Sequence, residues 1–134
     1  MNAVPRNVRN NNPGNVEASE LDWQGLADPP TDGVYLVFTD PKWGFRCMAR
    51  CLMTDYRRGM VTVDQLITSW APPSENNTHA YVTDVAGRLG QGLDETLSLP
   101  AELLPLLKAI ATHEGGCPWP DQVIQAGIDS ERSG

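Results

Sequence analysis

The chain has 134 residues, 40% of them hydrophobic and 20% charged, which fits a single soluble domain able to bury a core. A formal net charge of −7 argues against nucleic acid as the main ligand, because phosphate contacts need clustered Lys and Arg. No apolar run is long enough to span a bilayer, and the start MNAVPRNVRNNNPGN lacks the apolar segment of a signal peptide. Arg6 and Arg9 stand apart from Arg46, Arg50, Arg57 and Arg58, and these last four read as a solvated helix face. Cys47, Cys51 and Cys117 are too irregularly spaced for a disulfide framework or a metal site and read as packing residues, so no metal or cofactor is expected.

In chain order, residues 1–15 are polar and rich in asparagine, and Pro13-Gly14 marks a tight turn. Val16 to Gly25 reads as irregular chain or a short strand with Trp23 inward. Ala27 to Gly33 (ADPPTDG) reads as a loop, and Val34 to Phe38 as a strand. Asp40 and Pro41 predict a helix start, followed by about four turns ending near Gly59. Thr62 and Gln65 form a capping box opening a shorter helix that Pro72 and Pro73 must break. Asn77 or Thr78 caps the next helix, with Tyr81, Val82, Val85 and Leu89 inward and a stop from Gly90 to Gly92.

A last long helix is expected from Ser98, with Pro105 forcing a kink or a fresh start, and Asp121 caps a short helix through Gly127. One domain over residues 1–134 is expected, with flexible ends at 1–6 and 129–134. The fold class is α+β, mostly helical, with a small extended lobe, a helical lobe and a cleft between them.

The segment LLKAIATHEGG, Leu106 to Gly116, carries the strongest chemical signal. Leu103, Leu106, Leu107 and Ile110 mark a buried helix face, and the glycine pair reads as a helix stop in left-handed conformation. Glu114 in the last turn lies against the helix dipole, a placement costing up to ~1 kcal/mol if the group stays ionised. That points to a carboxyl retained as a general acid, the alternative being an exposed surface residue in a fraying last turn. His113 beside it reads as a surface residue. The other polar clusters are Asn10 to Asn15 with Glu17, and Glu75 to Thr78 with Tyr81. Amides, aromatic faces and isolated carboxyls are the groups that bind and cleave sugars.

NNNPGNVEAS, DWQG, FTDPKWG and ITSWAPPSENNTHAYVTDVAGRLG together resemble the small peptidoglycan-hydrolase domains of phage virion and prophage proteins, over about residues 7 to 127. A looser resemblance, over about residues 10 to 90, is to glucosaminidases of the lysozyme superfamily. Lysozyme-like enzymes carry their catalytic glutamate on a helix ahead of the asparagine-rich segment, whereas here the Glu-Gly-Gly helix follows it. The resemblance therefore implies a circularly permuted, lysozyme-like fold with Glu114 brought opposite Asn11, Asn12 and Glu17.

It also implies a muramidase or lytic transglycosylase acting between N-acetylmuramic acid and N-acetylglucosamine. Glu114, Glu17 and Glu75 are the candidate catalytic residues, and Asn11, Asn12, Asn15, Asn77, Thr78 and Tyr81 the candidate substrate-binding ones. Trp23, Trp43, Trp70 and Trp119 are expected mostly in the core, with one free to line a sugar subsite. The implied partners are peptidoglycan glycan strands and other virion or secretion-apparatus proteins. The implied location is a phage virion or a prophage product acting in the periplasm or cell wall. The alternative is a non-catalytic virion or wall-binding protein.

Overall fold

The structure is a computed structural model in which residues 4–74 and 76–133 are described. The elements are α1 (Arg6–Arg9), β1 (Leu26–Thr31), β2 (Leu36–Phe38), α2 (Pro41–Arg57), α3 (Val63–Trp70), α4 (Thr78–Leu89), α5 (Leu103–Glu114) and α6 (Asp121–Ser133). The chain is thus mostly helical with a small two-stranded antiparallel sheet, an α+β arrangement.

Helix starts follow local signals. Asp40 accepts from the Lys42 amide at 2.9 Å with Pro41 in the first turn of α2. Both arms of the Thr62/Gln65 capping box are made, at 3.1 and 3.2 Å. Asn77 accepts from the Ala80 amide at 3.2 Å to open α4, and Gly90 ends it in the left-handed region at φ 67°.

Three expectations are corrected. The stretch read as a loop at Ala27 to Gly33 holds strand β1, prolines included. It is an edge strand paired only at Leu26 with Phe38 and Thr31 with Leu36, so exposed Pro29 and Pro30 owe the ladder no N–H. The helix expected from Ser98 begins at Leu103, which puts Pro105 in the first turn, where an N–H is unpaired in any case. The helix expected to stop at Gly127 continues to Ser133. Gly127 is a crossing point, since a Cβ there would lie 2.6 Å from Phe45 Cβ, 2.7 Å from the Lys42 carbonyl oxygen and 2.9 Å from the Arg46 nitrogen. Gly127→Ala is expected to cost about 1–3 kcal/mol despite the better helix propensity of alanine, because backbone atoms of α2 would have to move. Urea unfolding showing no loss would place α6 farther from α2.

The main core is shared by Phe45, Met48 and Leu52 of α2, Leu66 and Ile67 of α3, Val82 and Val85 of α4, Leu106 and Ile110 of α5, and Ile124 and Ile128 of α6. A second, smaller cluster joins Leu36, Phe38 and Cys47, with Trp23 and Trp43 packed against it. The extended lobe therefore rests on one side of α2.

Asn10, Asn11 and Asn12 tie the N-terminal turn to the extended lobe. Asn10 donates to Asp32 at 2.8 Å, and Asn11 donates to the Phe38 carbonyl at 3.1 Å. Asn12 donates to the Val16 and Leu36 carbonyls at 3.0 and 2.9 Å and accepts from the Val16 amide at 2.9 Å. Asp32 closes the β1–β2 turn, accepting from the amides of Tyr35 and Val34 at 2.8 and 3.0 Å and pairing with Arg6 at 2.6 Å.

The Arg6 bond, then the Tyr35 amide, hold the Asp32 carboxyl well below the usual carboxylate range. A depressed folded pKa gives stability that is present above the unfolded value of ~3.9 and lost as pH falls toward the folded one. Asp32→Asn should accordingly lower Tm at pH 7, with the gap to wild type narrowing below about pH 4. A gap that stays constant from pH 7 to pH 2.5 would remove the ion pair from the explanation.

Candidate active site

Glu114 ends α5 half-buried, and both its oxygens are held. The Tyr81 hydroxyl donates to Oε2 at 2.6 Å, and the Asn15 amide donates to Oε1 at 3.0 Å. The Tyr81 link comes from α4, and the Asn15 link from the asparagine turn, 99 residues away in sequence. Asn15 stands at φ 49°, a left-handed conformation that asparagine tolerates better than most residues and that aims its side chain at α5.

Of the glycine pair after Glu114, Gly115 serves packing, while Gly116 takes a positive φ of 156° that favours glycine and has open space around it. Gly115 has an extended φ of 169°, not the left-handed one expected, but a Cβ there would sit 2.5 Å from Asn7 Oδ1. Asn7 is fully buried, and its amide nitrogen lies 3.1, 3.2 and 3.0 Å from the carbonyls of Pro13, Ala111 and Gly116. This one side chain clamps the asparagine turn to the end of α5.

Around Glu114 lies a cleft of about 370 Å³ lined by Asn15, Glu17, Ser19, Leu21, Trp23, Tyr35, Trp70 and Asn76, among others. It combines aromatic faces, amides and two carboxylates. Behind Glu114, the Tyr81 ring stacks on His113 with centroids 3.8 Å apart and planes 34° apart. His113 Nδ1 is 2.7 Å from Asp84, which also pairs with Arg88 at 3.1 Å. Burial and the neighbouring Glu114 carboxylate push the Tyr81 phenol far up, so Tyr81 stays a hydrogen-bond donor throughout the physiological range. The His113 bond, first among its causes, lowers the Asp84 carboxyl.

The expected sites divide clearly. Glu114, Asn15 and Glu17 share the cleft, and Tyr81 reaches it through its hydroxyl. Asn12 is fully buried with its amide donors spent on the backbone, and Asn11 is bonded to Phe38. Both build the turn and stand outside the cleft lining. Asn77 is an exposed helix cap, and Thr78 donates to the Ala71 carbonyl at 2.6 Å. Glu75 lies outside the described residues. Sequence reading missed Asp84; His113 is exposed as expected, but its bond to Asp84 and its ring contact with Tyr81 were not announced by the sequence. The spacing of Tyr81 and Asp84 on one helix carried a faint signal, but their shared partner lies on α5.

A second cavity, about 580 Å³, adjoins the first across Leu21 and Trp23, and Arg46 and Arg50 line it. Two of the four arginines read as a solvated face therefore border a concave site.

A mostly helical α+β fold in which α5 carries a held carboxylate into an aromatic, amide-lined cleft is the class of arrangement this chain presents. Its sequence is similar to Protein P5 of Pseudoalteromonas phage PM2, with 29% identity over 133 residues, covering 96% of this chain and 83% of that protein. The chain is thus related to a phage protein. It matches no protein-family model. Among the described residues no helix is long and apolar enough to cross a membrane.

Proposed function

We propose that the protein is a peptidoglycan-cleaving glycosidase in which Glu114 is the general acid. The observation that carries this reading is the Glu114 carboxyl, fixed by Tyr81 and Asn15 inside a cleft faced by Trp23, Tyr35 and Trp70. Aromatic faces suit pyranose rings, and Asn15, Asn76 and Ser19 suit hydroxyl and N-acetyl groups. Asn15 Oδ1 is buried without a partner among the described residues, and an acceptor left so is rarely retained without use. The relationship to a phage protein fits a product that must pass a bacterial wall.

In the proposed reaction Glu114 hands its proton to the glycosidic oxygen as the bond to the anomeric carbon breaks. Tyr81 and Asn15 restrain the carboxyl so that it meets that oxygen in one orientation. Two completions exist. Glu17, in the same cleft, draws a proton from water that attacks the anomeric carbon; or Glu114, now ionised, draws it from the muramyl 6-hydroxyl, which closes an anhydro ring. Their products differ by one water.

The test is incubation of purified peptidoglycan with the protein across pH 4–8, with mass spectra of the released fragments. Reducing ends indicate hydrolysis, and anhydro ends indicate transglycosylation. Sedimentation of the protein with the wall polymer but no released fragments would favour a wall-binding virion protein.

A further inference from the structure

The cavity beside the cleft holds a feature that catalysis at Glu114 leaves unused. Arg46 and Arg50 project from one face of α2 into it, one helical turn apart. Arg50 is steadied by Glu131, a buried carboxylate 3.6 Å away on α6. Arg46 Nε is out of water with no hydrogen-bond partner among the described residues. A buried N–H without an acceptor costs free energy, and contact with a ligand falls to the part of the Arg46 side chain that lines the cavity. The remaining walls are Leu21, which is 63% exposed, the Trp23 ring, Gln24, Gly25 and Leu26, with Asp22 as the opposing charge. A chain carrying net charge −7 offers little general attraction for an anion, so an arginine pair in a cavity acts at short range.

We propose that this cavity is a subsite for the carboxylate-bearing peptide that hangs from the glycan strand, with Arg46 as its main anchor and Trp23 packing against its apolar part. The proposal rests on the glycan reading of the neighbouring cleft. Leu21 and Trp23 line both cavities, so a strand seated at Glu114 passes its substituent over them to the arginines. Planar guanidinium and carboxylate match as a two-bond pair, a geometry that lysine does not reproduce.

The experiment measures binding of a soluble peptide-bearing disaccharide and of the same disaccharide freed of peptide, by titration calorimetry with wild type, Arg46→Gln, Arg46→Lys and Asp22→Asn. Wild type should prefer the peptide-bearing form by about tenfold, the contribution of one charge-assisted pair. Arg46→Gln should abolish that preference, Arg46→Lys should recover it only in part, and Asp22→Asn, an exposed loop change with little hold on folding, should increase it. No preference in wild type, or a preference untouched by both Arg46→Gln and Asp22→Asn, overturns the proposal. Because binding is read without turnover, Arg46-dependent binding with no fragment release would overturn the catalytic reading alone. Fragment release with indifferent arginines would overturn the subsite alone.

Discussion

Glu114→Gln is expected to lower the rate of glycan cleavage by about 10²–10⁴-fold, the usual contribution of a positioned general acid. The fold should survive the change. The new amide keeps a carbonyl oxygen for the Tyr81 hydroxyl, now bonded at 2.6 Å. Its NH2 would face the Asn15 NH2, but Asn15 can rotate its amide and present Oδ1, the atom that lacks a partner in wild type. A melting temperature within a few degrees of wild type would therefore accompany the lost activity. Clearing of purified peptidoglycan at equal rates by both proteins would remove Glu114 from the chemistry. Tyr81→Phe provides a graded comparison, since it deletes one donor to Oε2 while keeping the ring stacked on His113.

The largest effect on stability is expected at Asn7. Asn7→Ala deletes an amide within reach of three carbonyls; Ala111 keeps its bonds from the Gly115 and Gly116 amides, while the Pro13 and Gly116 carbonyls lose this donor in a buried or half-buried setting. Each stranded acceptor costs about 1–3 kcal/mol, and water entering the vacated space recovers part of it. A net loss of roughly 2–4 kcal/mol and a fall in Tm of roughly 10 °C should follow, read by circular dichroism. Asn7 also holds Pro13 next to Ala111, so the variant should lose glycan cleavage at temperatures where it is still folded, as Asn15 drifts from Glu114. A Tm shift below 2 °C would show that the clamp is redundant.

The same residues show what could be read in advance. The asparagine-rich run was legible as special because so many amides rarely gather in one turn. Its use was not: Asn7, Asn10 and Asn12 are buried scaffold, and only Asn15 turns to the cleft. Composition announces hydrogen-bonding capacity but not its direction, which is set by partners such as Leu36, Asp32 and Ala111 far along the chain.

Proline carried a related ambiguity. Pro29 and Pro30 signalled a loop, yet an edge strand tolerates them because its outer side needs no donors, and only the position of β2 defines that edge. Gly127 signalled a stop, yet it is the close contact of α6 with Phe45 on α2.

By itself the sequence determined the features written within four residues of one another: the Asp40-Pro41 start, the Thr62/Gln65 box, a cap at Asn77 or Thr78, a stop between Gly90 and Gly92 and the acid at the end of an apolar helix. Backbone capping is a short-range bond, so its donors and acceptors are neighbours in the chain. Only the tertiary structure decided that Asn15, Tyr81 and Glu114 meet, that Asp84 and His113 stand behind them, and that Arg46 borders a cavity. These contacts arise from the packing of α4, α5 and the asparagine turn around one core, a many-body outcome for which no local spacing carries a code.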